Sequence, residues 1–198
     1  MTWKITKHTD PWTYIVIDNF FERDDLEVVR NDLIGLSDTV SESPDMFGDA
    51  VSMVGREWKY VAETKRDSMW LDYHITIAPY MERLNEEFLL EYFPNHRPYD
   101  QIEFKSSTQI VQAGMKYHTH VDAARKVMST VVYIAGNGRG TYIHDHNGNV
   151  VREIEWKINR AVVFAPLDGV TWHSYEADGM TNRTTLLHNI IRIGNRPD

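Results

Sequence analysis

The chain has 198 residues, a formal net charge of −8, 42% hydrophobic and 12% aromatic residues, and no cysteine. That length and apolar content fit one large domain with a real core, and they exclude a disordered chain; the missing thiols exclude disulfides, thiolate nucleophiles, zinc fingers and iron–sulfur clusters. The acidic balance disfavours sequence-independent binding to a phosphate backbone, and no run approaches ~18 apolar residues, so no membrane span is expected.

The N-terminus, "MTWKITKHTDPW", has no apolar signal-peptide core, so a cytoplasmic location is expected. "YIVIDNFF" (Tyr14–Phe21) reads as a strand ending in a turn. In "ERDDLEVVRNDLIGL", Leu26, Val29, Leu33 and Leu36 recur at helical spacing. From Ser37 to Lys59 the pattern breaks into Ser, Asp, Gly and Met, which suggests a long functional loop acting as a lid. Trp58, Tyr60, Trp70 and Tyr73 follow as an aromatic-rich stretch read as core. "APYMERLNEEFLLEYFP" places Met81, Leu84, Phe88, Leu89 and Tyr92 on one helical face, with Pro79 in the first turn and Pro94 as the stop.

After Asp100 the period changes from helical to two. "IEFKSSTQIVQA", "KYHTHV", "VMSTVVYIA", "TYIH", "VVREIEW", "RAVVFAP" and "TTLLHNIIRI" read as strands, and Asn147-Gly148 marks a hairpin. Helices followed by seven or eight strands predict an α+β fold in which N-terminal helices buttress an antiparallel jelly-roll barrel. The whole chain, 1–198, is expected to be one domain: 1–100 as helical support and flap, 101–193 as the catalytic core.

"YHTHVD" then carries the chemistry. On a strand, residues two apart share a face, so His120 and Asp122 project together, and His173 in "GVTWHSY" supplies a second imidazole. Two histidines and one carboxylate on one face of an ion form the triad of non-haem Fe(II) oxygenases, leaving three coordination positions open. His118, two residues before His120, leaves a rival open: a three-histidine cupin-type site of His118, His120 and His173. His144 and His146 flank the Asn-Gly hairpin and read as exposed turn residues, His188 as a hydrogen-bonded core residue, Trp172 as core, and Arg125 with Lys126 as a solvated loop.

Ten residues after His173 comes Arg183, and Thr185 lies two further on. His120-Val121-Asp122, His173 and Arg183-Thr184-Thr185 together resemble the 2-oxoglutarate/Fe(II)-dependent oxygenases. Gly114, Tyr117, His120 and Asp122 match the G-x-x-Y-x-x-H-x-D spacing of the prolyl-4-hydroxylase-like branch. "KVMSTVVYIAGN" with Tyr133, "GRGT" (Gly138–Thr141) and "KINRAVVFAP" resemble its following core segments. The resemblance spans roughly Gln101 to Ile193.

The resemblance implies a double-stranded β-helix, Fe(II) held by His120, Asp122 and His173, and 2-oxoglutarate with O2 as co-substrates. Arg183 and Tyr133 would take the distal carboxylate of 2-oxoglutarate, with Thr185 assisting; a guanidinium's planar fork matches a carboxylate. It also implies hydroxylation of a C–H bond in an amino acid, a peptidyl residue or a small metabolite, with 2-oxoglutarate decarboxylated to succinate. One position departs from the pattern: Val111 stands where many members carry a tyrosine near the metal, and Tyr117 or a water is the candidate replacement. Two other classes stay open, a binding or sensing protein without turnover and a nucleic-acid demethylase; the acidic balance weighs against the second. Oligomeric state leaves no mark in the sequence.

Overall fold

The structure, a computed structural model, describes residues 2–40, 46–47, 50–51, 76–77, 79–80, 83–84, 89–93, 102–111 and 113–192. In chain order the elements are β1 (Lys4–His8), β2 (Tyr14–Asp18), α1 (Arg23–Val40), β3 (Met46–Phe47), β4 (Ala50–Val51), α2 (Leu89–Tyr92) and β5 (Ile102–Val111). Then come β6 (Lys116–His120), β7 (Lys126–Ala135), β8 (Gly138–His144), β9 (Val150–Ile154), β10 (Arg160–Phe164), β11 (His173–Ala177) and β12 (Arg183–Arg192).

A six-stranded sheet, β1-β2-β10-β7-β12-β5, faces a four-stranded one, β6-β11-β8-β9; every pairing is antiparallel. The result is a jelly-roll-like β-sandwich. The alternation of apolar side chains along each strand decides which layer each belongs to. In β10, Val162 and Phe164 join Tyr14, Tyr133, Ile143 and Ile154 in the layer that includes residues of both sheets. Ala161 and Val163 join Ile15, Ile17, Val132, Ile134 and Leu186 beneath Val29 of α1, Ile77, Tyr80 and Leu84. At Gly140 the sandwich leaves no room for a side chain, since a Cβ there would lie 1.5 Å from the carbonyl oxygen of Ile154.

The expected buttress of several N-terminal helices is corrected. Among the described residues α1 is the one long helix, and α2 is a four-residue segment. Asp24 and Asp25 in the first turn of α1 suit the positive end of its dipole, and the Asp25 carboxylate accepts from the Tyr80 hydroxyl. Of the apolar face expected over that segment, Leu84 is buried, as is its neighbour Tyr80, and the described residues 76–77, 79–80 and 83–84 are helical in short pieces. Residues 37–40, read as the start of a loop, instead continue α1. The rest of the proposed Ser37–Lys59 lid, apart from the short β3–β4 pair, lies outside the described residues, as do Trp58, Tyr60, Trp70, Tyr73, Met81 and Phe88. Leu33 and Leu36 fall within α1, but their side chains are outside the description.

Two features were not anticipated. β1 is a mainly polar edge strand with no clean alternation, and it extends the larger sheet through β2. The β8–β9 hairpin has the expected Gly148 at φ 82°, but its loop runs over Asp145–Asn149 and is organised by the Asp145 carboxylate, which accepts from the backbone of Asn147 and Asn149. No described helix is long and apolar enough to cross a membrane.

Candidate functional site

His120 ends β6, Asp122 follows it, and His173 opens β11 directly across the ladder from His120. The imidazole centroids are 4.3 Å apart, and one ligand atom each from His120, Asp122 and His173 lie within 4.8 Å of one another. No other such group of three occurs among the described residues.

Each member is held ready to bind. Nδ1 of His120 lies 3.0 Å from the carbonyl of His118, and Nδ1 of His173 lies 3.0 Å from the carbonyl of Thr171. A carbonyl only accepts, so Nδ1 carries the proton and Nε2 keeps its lone pair for a cation. Burial lowers both imidazoles, His120 to about 4, so both stay neutral at pH 7. Burial alone would raise the Asp122 carboxyl, but Lys126, His173 and Ser129 outweigh it and bring the group down to about 2. Lys126 Nζ lies 2.8 Å from Asp122 Oδ1, and Ser129 Oγ donates to Oδ2 at 2.5 Å. Lys126 is therefore no solvated loop residue: it begins β7 and is the counter-ion of Asp122. Arg125 is exposed, as expected.

The three-histidine alternative fails on register. His173 pairs with His120, but Tyr175 pairs with Tyr117, so β6 carries one extra residue between the pairs. Such a bulge interrupts the alternation of faces. His118 is exposed with its ring stacked on Tyr117, 5.2 Å between centroids, and it contributes its carbonyl, not its imidazole. Tyr117 stands edge-on to His120 at 4.6 Å. Phe164, which the sequence did not single out, packs edge-on to His173 at 4.9 Å. Trp172, expected in the core, is half-buried and donates to the Gly169 carbonyl.

Behind the triad, Arg183 is completely buried, and none of its three guanidinium nitrogens has a hydrogen-bond partner. Three aromatic rings surround it: its guanidinium carbon lies 4.4 Å from the Tyr175 centroid, 5.2 Å from Trp156 and 5.5 Å from Tyr133. Cation–π contacts soften the burial of a charge but leave the N–H donors unanswered. Tyr133 is buried and stacked on Trp156 at 4.4 Å; its hydroxyl donates to Thr141 Oγ1 and accepts from Thr141 N. Thr185 is buried two residues beyond Arg183, opposite Gln109 of β5, and Val111 lies opposite Arg183.

The remaining histidines separate clearly. His146 is exposed, but His144 is buried, with Nδ1 against the Gly148 carbonyl and Nε2 against Ser174 Oγ at 2.8 Å. The cross-strand neighbour that buries it could not be read from the hairpin alone. His188 is buried on β12, with the same parity as Leu186 and Ile190, the side away from Arg183 and Thr185.

No family model matches the sequence, and no curated protein matches it by sequence. Solved structures do. A prolyl-4-hydroxylase of Pseudomonas putida superposes with a TM-score of 0.61 at 15% identity, covering 91% of this chain and 93% of that one. The viral collagen prolyl hydroxylase of Paramecium bursaria Chlorella virus-1, solved as a 2-oxoglutarate complex, gives 0.60 at 14% identity over 93% and 98%. A prolyl hydroxylase of Trichoplax adhaerens, solved with a hypoxia-inducible-factor peptide fragment, gives 0.60 at 13% over 90% and 83%. This chain is thus similar in fold, nearly end to end, to prolyl-4-hydroxylases.

Proposed function

We propose that the protein is an Fe(II)- and 2-oxoglutarate-dependent dioxygenase, a single domain built on a double-stranded β-helix. The observation that carries this reading is the buried Arg183 guanidinium, whose donors have no partner, behind a His120–Asp122–His173 cluster. A metal cluster alone fits many activities. A dry cation beside it calls for an anion, and a dicarboxylate reaching from the metal to Arg183 answers both.

The donor set fits a divalent first-row metal: two neutral imidazoles with Nε2 free and one ionised carboxylate. Bound there, iron supplies the oxygen chemistry that couples decarboxylation of 2-oxoglutarate to hydroxylation of a C–H bond. The chain's own residues bind and orient. Arg183 holds the distal carboxylate, Tyr133 and Thr185 line that end, and Tyr117 flanks His120. Lys126 and Ser129 keep Asp122 ionised and fix its direction. Burial around Arg183, Tyr133 and Phe164 excludes water from the reaction space. The primary substrate belongs to the amino-acid, peptidyl or small-metabolite class; the peptide seated on the Trichoplax relative supports the peptidyl choice.

The test is Fe(II)-dependent formation of succinate from 2-oxoglutarate. Asp122→Ala removes the anionic ligand and is expected to abolish turnover, by at least about a thousandfold. Wild-type activity in that variant rejects the triad.

A further inference from the structure

The 2-oxoglutarate pocket contains a residue that the sequence did not single out. Tyr175 lies on β11, two residues after His173, and only 7% of its surface is exposed. It links the two ends of the site. Its ring stacks on Tyr117 at 5.0 Å and stands 6.5 Å from His120, while its other contact is the Arg183 guanidinium at 4.4 Å. No other described ring contacts both His120 and Arg183.

The phenol is aimed deliberately. Gln109 Nε2 donates to the Tyr175 oxygen, and Gln109 is itself buried on β5 opposite Thr185. A phenol oxygen that accepts from an amide still has its own proton to give. Tyr133 differs, since its proton already goes to Thr141. Val111, opposite Arg183, has no polar atom to offer and packs with Tyr175 in one buried cluster. Beside the unanswered guanidinium, the hydroxyl with an uncommitted proton is that of Tyr175.

We propose that Tyr175, pinned by Gln109, binds the co-substrate directly, donating its phenolic proton to the carboxylate that Arg183 holds. The assignment rests on the dioxygenase reading. Arg183 supplies charge, and Tyr175, entering from the opposite sheet, supplies direction. Gln109 is a positioning residue that acts through Tyr175.

The experiment is an anaerobic titration of the Fe(II)-loaded protein with 2-oxoglutarate, following the visible charge-transfer band of chelation, with Fe(II) affinity measured separately. Tyr175→Phe keeps the ring over Arg183 and removes only the hydroxyl. It is expected to weaken 2-oxoglutarate binding about tenfold or more, as loss of a hydrogen bond to a charged group does, with Fe(II) affinity unchanged. Gln109→Leu is expected to weaken it less, and to have no further effect in the Tyr175→Phe background. A wild-type band with unchanged 2-oxoglutarate affinity in both variants overturns the Tyr175 assignment alone, leaving Tyr175 and Gln109 as a structural clip that shifts only the melting temperature. A wild-type protein that binds Fe(II) but gives no band overturns the dioxygenase reading and this assignment with it.

Discussion

Lys126 poses a conflict that one substitution resolves. Its ammonium, 2.8 Å from Asp122 Oδ1, helps hold that carboxylate ionised and in place, yet it is also a cation beside the proposed cation site. With a divalent ion bound the first effect would be redundant, because the ion itself would then hold the Asp122 carboxylate ionised against its burial. The second would not be: a divalent ion held by that carboxylate would be repelled by the ammonium beside it. Lys126→Met is therefore expected to bind Mn(II) about tenfold more tightly than wild type in a calorimetric titration. Weaker binding would mean that Lys126 matters more as the brace that orients Asp122. The same residue shows what a sequence hides. That His120, Asp122 and His173 come together, with Arg183 buried nearby, was legible because the proposed metal and carboxylate sites call for particular residue types at particular spacings. Lys126 read as solvent-facing although Asp122 lies only four residues before it, because a pair closed across a turn leaves no periodic signal, and Tyr175 stayed anonymous because Gln109 and Arg183, which it meets, come from β5 and β12.

At the scale of elements, the strands were legible and the helices less so, for a physical reason. Alternation of period two is a strong signal when each strand divides its side chains between two layers, as β10 does with Val162 and Phe164 on one side and Ala161 and Val163 on the other. The register was not legible: a single bulge in β6 decides that His120, and not His118, faces His173. The turn that aims Arg183 depends on a similar detail. Gly136, just after β7, sits at φ 93°, and a Cβ there would lie 1.9 Å from the carbonyl oxygen of Asn182, the residue before Arg183. Next to it, Thr181 Oγ1 accepts from Asn137 N and donates to the Asn137 carbonyl, clamping the two turns together. Gly136→Ala must therefore displace the start of β12. The expected cost is about 2–4 kcal/mol of stability, combining an unfavourable backbone conformation with a steric clash. Its functional signature should be one-sided: weaker 2-oxoglutarate binding with Fe(II) affinity retained, because His120, Asp122 and His173 lie on other segments. Equal loss of both affinities would show that the sandwich as a whole had loosened.

For the molecule as a whole, the buried imidazoles set the response to acid. Burial lowers His188 to about 3 and His120 to about 4, and lowers His173 as well, all against an ordinary value of 6.5. A histidine whose folded value is depressed binds a proton in the unfolded chain first. Between pH 6.5 and the folded value the unfolded state holds more protons, so stability is greatest above 6.5 and falls as the pH drops through that window. Asp122, lowered to about 2, works in the same direction but further down, its contribution fading between about pH 4 and 2. The metal-free protein is thus expected to lose stability steadily below pH 6.5, well before its carboxylates titrate. His188 isolates the effect, since it is buried on the far side of β12 and is no metal ligand in this reading. His188→Leu should flatten the dependence of unfolding free energy on pH by about 1.4 kcal/mol per unit between pH 6 and 4, the weight of one proton. Urea unfolding of wild type and variant across that range measures it. Parallel curves would mean that His188 takes up its proton within the folded protein, and that the acid response is carried by the other lowered histidines, His120, His173 and His8.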